Sequence, residues 1–189
     1  TASEIKVYVN KKEKSASKSL EYIGKSDKNH NYKLTISGFD GNGELSLEII
    51  EDAIHDSFGN KNSKTTLNTG LLIDNTPPVI TLGEILEGSD NNTIGKNKTL
   101  KMSLKVFEAN GFDSNSFNKN AIKILVNENI IDSSNIDLTF DKKSDTYYFY
   151  NLSINNITEN GELKIRVLEN SIHDTAQNYN VLTDITTGF

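Results

Sequence analysis

Apolar and polar residues alternate along most of this chain. The stretches "KLTIS", "ELSLEII", "LKMSLKVF", "IKILVN", "IDLTF", "YYFYNLSI" and "ELKIRVL" place apolar side chains at every second position, the period of a strand with one buried face. Turn-forming runs separate them: "GFDGNGE", "SDNN", "FDKKSD" and "NITENGE". No segment holds a helical period of apolar residues, so the pattern predicts an all-β chain. Its C-terminal part predicts strands at Val79–Glu84, Thr99–Glu108, Ala121–Asn127, Ile136–Asp141, Thr146–Ile154, Glu162–Leu168 and Thr183–Phe189. That number of short antiparallel strands fits a Greek-key sandwich.

The pattern also repeats. Shifted by 118 residues, Tyr32–Leu71 aligns without a gap on Tyr150–Phe189, with 16 of 40 positions identical. "NGEL" recurs intact at Asn42 and Asn160, and "IHDSFGN" at Ile54 returns as "IHDTAQN" at Ile172. Upstream, "IKVYVN" at Ile5 pairs with "IKILVN" at Ile122, the offset slipping by about one. A repeat of this length implies two copies of one structural unit.

The copies meet at "IDNTPPVIT", which puts one module at 1–75 and the other at 76–189. Pro77 and Pro78 have fixed φ and no N–H, and Pro77 restricts Thr76, so a short, stiff linker and a rod of modules are expected. The second copy has a long lead-in before "IKILVN", whereas the first has four residues before "IKVYVN". The first sandwich is therefore expected to lack its N-terminal strands and to expose a core face and an edge, an arrangement open to strand exchange with another chain.

The passage "GELSLEIIEDAIHDSFGNKNSKTTLNTGLLIDNTPPVIT" resembles the bacterial Ig-like repeats of cell-surface adhesins and S-layer-associated proteins. The shared pattern is a strand, a turn with Asp and Gly-Asn-x-Asn, and a strand ending in Ile-Asp-x-Thr-x-Pro. Asp56, Gly59, Asn60, Asn62, Ile73, Asp74, Thr76 and Pro78 carry it in the first copy. Asp174, Asn178 and Asn180 carry it in the second, where Gln177 replaces the glycine. The resemblance implies two tandem Ig-like Greek-key β-sandwich modules of an extracellular, cell wall-associated or secreted bacterial protein. It also implies a spacer or adhesive role, with adjacent Ig-like modules of the same chain as neighbours and a host protein or glycan as a further partner. Some relatives bind Ca²⁺ near module junctions.

Three groups of residues are candidates for chemistry. In the repeated heptapeptide, adjacent His and Asp side chains on extended backbone point to opposite faces, so His55–Asp56 is not expected to form a catalytic pair of the Ser-His-Asp kind. A turn is expected instead: Ile54 in the core, Asp56 and Asn60 bonded to turn amides, Gly59 at positive φ. The oxygens of Asp56, Asn60, Asn62 and Asp74, with Asn75, are the candidate ligands for Ca²⁺; "DNN" at Asp90 is too short to qualify. In "YYFY", Tyr148 and Tyr150 are expected inward and Tyr147 and Phe149 outward, where aromatics can stack on a sugar or anchor a protein. Acid pairs such as Glu84/Glu87 and Asp141/Asp145 raise a glycosidase reading that only their separation decides. Abundant Lys and Asn leave an intramolecular isopeptide bond open, and the sequons "NNT", "NKT", "NLS" and "NIT" read as chance in an Asn-rich chain.

Composition narrows the field further. A net charge of −6 and a pI near 5.1 argue against a nucleic-acid surface. No apolar run is long enough for a membrane-spanning helix, and the absence of cysteine removes disulfides and thiolate metal sites. The chain begins at Thr1 with no signal peptide in view and reads as part of a longer protein, with another linker and copy expected past Phe189. The expectation is a non-catalytic extracellular stalk or adhesion module needing no cofactor. The alternatives are a carbohydrate- or protein-binding module and an accessory domain of a secreted polysaccharide hydrolase.

Overall fold

The computed structural model describes residues 1–87, 93–95, 98–131 and 135–189. The "SDNN" turn, Asp90 and the asparagines of "NNT" and "NKT" lie outside the described residues. The chain is all-β and divides into two units, Thr1–Asn75 and Thr76–Phe189.

Unit 1 opens with a 3₁₀ turn, Ala2–Glu4, and six strands follow: β1 (Ile5–Val9), β2 (Lys12–Lys14), β3 (Ser17–Ser26), β4 (Asn29–Ser37), β5 (Gly43–Ile49) and β6 (Thr65–Ile73). They form an antiparallel sheet of order β2-β1-β5-β6 and a two-stranded hairpin, β3-β4. The buried cluster is small: Val7, Val9 and Leu45, with Leu47, Ile36 and Ile73 packed against it.

Unit 2 has eight strands: β7 (Val79–Glu87), β8 (Leu100–Phe107), β9 (Ile122–Val126), β10 (Asn129–Ile130), β11 (Ile136–Ser144), β12 (Tyr147–Ile154), β13 (Leu163–Val167) and β14 (Thr183–Thr186). One sheet runs β10-β9-β13-β14 and the other β11-β12-β8-β7, all pairs antiparallel. Both sheets send their apolar face into one core. Leu100, Met102, Leu104 and Val106 of β8 meet Ile122, Ile124 and Val126 of β9 and Leu163, Ile165 and Val167 of β13 in a single cluster. Alternation produces this directly. Along β8 the buried residues are every second one, and the lysines between them face away.

Four details differ from the sequence expectation, and the first is that β7 runs on to Glu87, past the expected end at Glu84. The short strand β10 adds an eighth element, because the turn Asn127–Glu128, both at positive φ, folds the chain back onto β9. β11 runs on to Ser144, past the expected end at Asp141, because a bulge at Asp141 lets pairing with β12 continue. β14 stops at Thr186, where Thr187 Oγ1 turns to donate to the Leu163 carbonyl (2.7 Å).

The two units share local devices as well as strand order. The β3–β4 hairpin has its bulge between Tyr22 and Gly24, the β11–β12 hairpin between Phe140 and Lys142. Their turns place Asp27 and Asp145 at φ of 54° and 55°. Thr69 Oγ1 donates to the Leu45 carbonyl (2.6 Å) as Thr187 does to Leu163. The glycine of each "NGEL", Gly43 and Gly161, has positive φ and lies against an asparagine side chain, Asn10 or Asn127, where a Cβ would collide.

Candidate functional site

The repeated heptapeptide forms a closed turn in both units. In unit 1, Asp56 Oδ1 accepts the backbone N–H of Phe58 (2.8 Å) and of Asn60 (2.9 Å), and Oδ2 accepts the Asn60 side-chain amide (2.8 Å). Asn62 pins the base: its Oδ1 accepts Ile54 N–H (2.7 Å), and its Nδ2 donates to the Ile50 and Ser63 carbonyls (2.9 Å each). Gly59, at φ 84°, donates its N–H to the Asp56 carbonyl (3.1 Å). Unit 2 repeats this. Asp174 accepts Asn178 N–H (2.8 Å) and the Asn178 amide (2.7 Å). Asn180 Oδ1 accepts Ser171 and Ile172 N–H (3.0 Å each), and Nδ2 donates to Leu168 (2.8 Å) and Val181 (2.9 Å). Gln177 takes the positive φ of Gly59, at 68°.

The hydrogen bonds have an electrostatic signature. The Asn60 side chain first, and then the backbone N–H groups of Asn60, Phe58 and Gly59, hold the Asp56 carboxyl below the ordinary aspartate range. The oxygens of Asp56 and Asn62 proposed as cation ligands thus already accept N–H donors. Of the remaining candidates, Asp74 is half-buried, and Asn75 is tied to the "NGEL" turn: it donates its N–H to Asn42 Oδ1 and its amide to the Gly41 carbonyl (2.8 Å each).

The histidines lie beside their own aspartates through main chain. His173 Nδ1 is 2.9 Å from the Asp174 carbonyl oxygen, His55 Nδ1 is 3.4 Å from that of Asp56. On its other side the His173 ring has Asp113 (Nε2 to Oδ2, 3.7 Å) and the Tyr179 ring (centroids 5.1 Å). Ser116 meets His173 through the backbone: its Oγ accepts the His173 N–H (3.2 Å).

Unit 2 also brings together two acids that no spacing in the sequence links. Glu108 and Asp174 are both buried, and their carboxylate oxygens approach within 4.8 Å. Glu108 Oε1 accepts the Asn110 N–H (2.9 Å). Carboxylate oxygens at this separation can hold a hard cation such as Ca²⁺. Glu108 directly follows β8 and Asp174 sits in the heptapeptide, and the Phe112–Asp174 bridge clamps the two segments together.

The aromatic run divides by face. Tyr148 and Tyr150 are buried, and the Tyr150 hydroxyl donates to the Ser114 carbonyl (2.9 Å). Burial above all pushes that phenol far above its ordinary pKa. Tyr147 is 42% exposed and packs on Phe107 (centroids 5.3 Å), and Val79 stands beside them across β7–β8–β12. Phe149 is half-buried under Lys142, whose Nζ lies 5.6 Å from the ring centroid. It floors an open groove of about 330 Å³ with Glu84, Ser103, Lys105, Asp141 and Asn151. Phe107, Val79 and the groove escaped sequence reasoning because they come from separate strands. Glu87 is ion-paired with Lys101.

No helix among the described residues is long and apolar enough to cross a membrane. No family model, no curated protein and no solved structure matches this chain.

Proposed function

We propose that the chain is two tandem Ig-like Greek-key modules of a bacterial surface protein, acting outside the cell as a non-catalytic spacer or adhesion scaffold. The observation that carries this reading is the twice-built turn. In both copies the Asp and the two Asn spend polar atoms on one another and on backbone groups of the turn itself. Side chains consumed in this way preserve a shape and leave little for chemistry. A chain stretched by single-molecule force spectroscopy should then unfold in two separate steps, one per module. A single step, or turnover of a glycan or peptide substrate that His173→Ala abolishes, would count against the reading.

Ligand binding is the second reading, favoured by the outer face of β7–β8–β12. An aromatic floor beside Ser103, Asn151 and Asp141 suits stacking and hydrogen bonding to a sugar. Tyr147→Ala/Phe149→Ala should abolish retention on a glycan array, and an array without hits for the unaltered chain removes this reading. A role for Ca²⁺ is supported by the Glu108–Asp174 pair. Millimolar Ca²⁺ should raise the unfolding midpoint of the second module and a chelator should reverse it. Equal midpoints in both solutions would argue against a bound ion.

A further inference from the structure

In unit 2, β12 lies between β11 and β8; in unit 1 its counterpart β4 pairs only with β3 among the described residues. The difference reaches the side chains. Tyr150 is 1% exposed and Ile172 is 0% exposed, whereas Tyr32 and Ile54, at the same places in the repeat, are 54% and 57% exposed. One continuous stretch covers the unit 2 residues. β8 sets Leu104, Met102 and Leu100 opposite Tyr150, Leu152 and Ile154. The connector after it then packs Phe112 on Tyr148 (centroids 5.1 Å) and Phe117 on Tyr150 (4.7 Å). Unit 1 enters this topology one step later. Its 3₁₀ turn Ala2–Glu4 leads into β1 as Lys119–Ala121 leads into β9. What stands in place of the connector is an open cleft of about 390 Å³ lined by Leu20, Tyr32, Ile49, Ala53 and Ile54.

We propose that unit 1 is an acceptor for an extended polypeptide strand. The strand pairs antiparallel with β4, sets alternate apolar side chains opposite Tyr32, Leu34 and Ile36, and is followed by a phenylalanine that fills the cleft over Tyr32 and Ile54. The occupant is a partner polypeptide strand with the chemistry of Leu100–Phe117, alternating apolar residues and then phenylalanine. A second copy is the poorer occupant, because its own Leu100–Val106 face is buried in its own core. Main-chain bonds along the strand give affinity, and the alternate side chains fix the register. The inference rests on the correspondence of strands between the units, and it stands whether or not the chain is a spacer.

The probe is a synthetic peptide of Thr99–Phe117 added to the 189-residue chain, read by amide hydrogen exchange. Alternate amides of β4 should exchange about ten-fold more slowly. A scrambled peptide should leave them unchanged, and a Phe117→Ala peptide or an Ile54→Asp chain should bind at least several-fold more weakly. Protection equal to that from the scrambled peptide overturns the proposal. In a second arm the same segment is fused ahead of Thr1, which should raise the lower unfolding midpoint by about 5 °C or more; an unmoved midpoint overturns it independently of peptide solubility. Sedimentation of the chain alone as a dimer that Thr35→Pro dissociates would assign the edge to a second copy, and would also overturn it.

Discussion

Phe117 packs edge-on against Tyr150, with ring centroids 4.7 Å apart and planes at 66°. The pair joins the β8–β9 connector to the middle of β12, and the Tyr150 hydroxyl ties down the same connector at Ser114. Both rings are buried. Phe117→Ala should therefore destabilise unit 2 by about 3–5 kcal/mol, the usual cost of emptying a buried aromatic site. Denaturant unfolding followed by tyrosine fluorescence measures it. A loss below about 1 kcal/mol would mean that the connector is not part of the core.

Asn180 and Asn62 make matching hydrogen bonds but sit at different depths, since Asn180 is buried and Asn62 half-buried. Asn180→Ala removes the partner of two backbone N–H groups and two carbonyls, and leaves the Ile172 N–H unsatisfied in the core, which should cost about 2–4 kcal/mol. Asn62→Ala leaves the same groups where water reaches them, so its cost should be smaller. Paired chemical denaturation of the two variants tests the ranking, and a larger loss for Asn62→Ala would contradict it.

Gly161 has φ 147° and faces the Asn127 amide, which donates to the Asn160 carbonyl (3.0 Å) and accepts Glu162 N–H (3.0 Å). Gly161→Ala forces the asparagine out of that bridge and strains the backbone, a loss of about 2 kcal/mol or more. The double variant Gly161→Ala/Asn127→Ala should recover part of it, because the clash is then gone. Thermal melts of the three proteins decide the point.

Acid should loosen unit 1 through Asp56. Its carboxyl is held below the ordinary range in the folded state, chiefly by the Asn60 side chain. A depressed folded pKa contributes stability in full above the unfolded aspartate value of about 3.9. That contribution is lost as pH falls through the lower folded value. The unit 1 transition should thus drop more steeply below about pH 4 in the unaltered chain than in Asp56→Asn, which has no carboxylate to protonate there. Parallel slopes in a pH series of melts would refute the assignment.

The heptapeptide and its partners were legible in the sequence to an unusual depth. Asp56, Asn60 and Gly59 act within a few residues of one another, so turn chemistry alone predicts their bonds. The bulges at Ile23 and Asp141 were not legible, because a bulge depends on pairing across two strands. Neither was the Glu108–Asp174 approach, which joins groups from distant parts of the chain.

Alternation by itself determined an all-β chain with its strands in nearly the right places, since the two-residue period follows from backbone geometry. The offset of 118 residues tied Tyr32 to Tyr150 and Ile54 to Ile172. Burial of these pairs was decided only by tertiary structure. The same side chains lie in the core of one unit and at the surface of the other, because burial depends on whether a further strand and two phenylalanines arrive from elsewhere to exclude water.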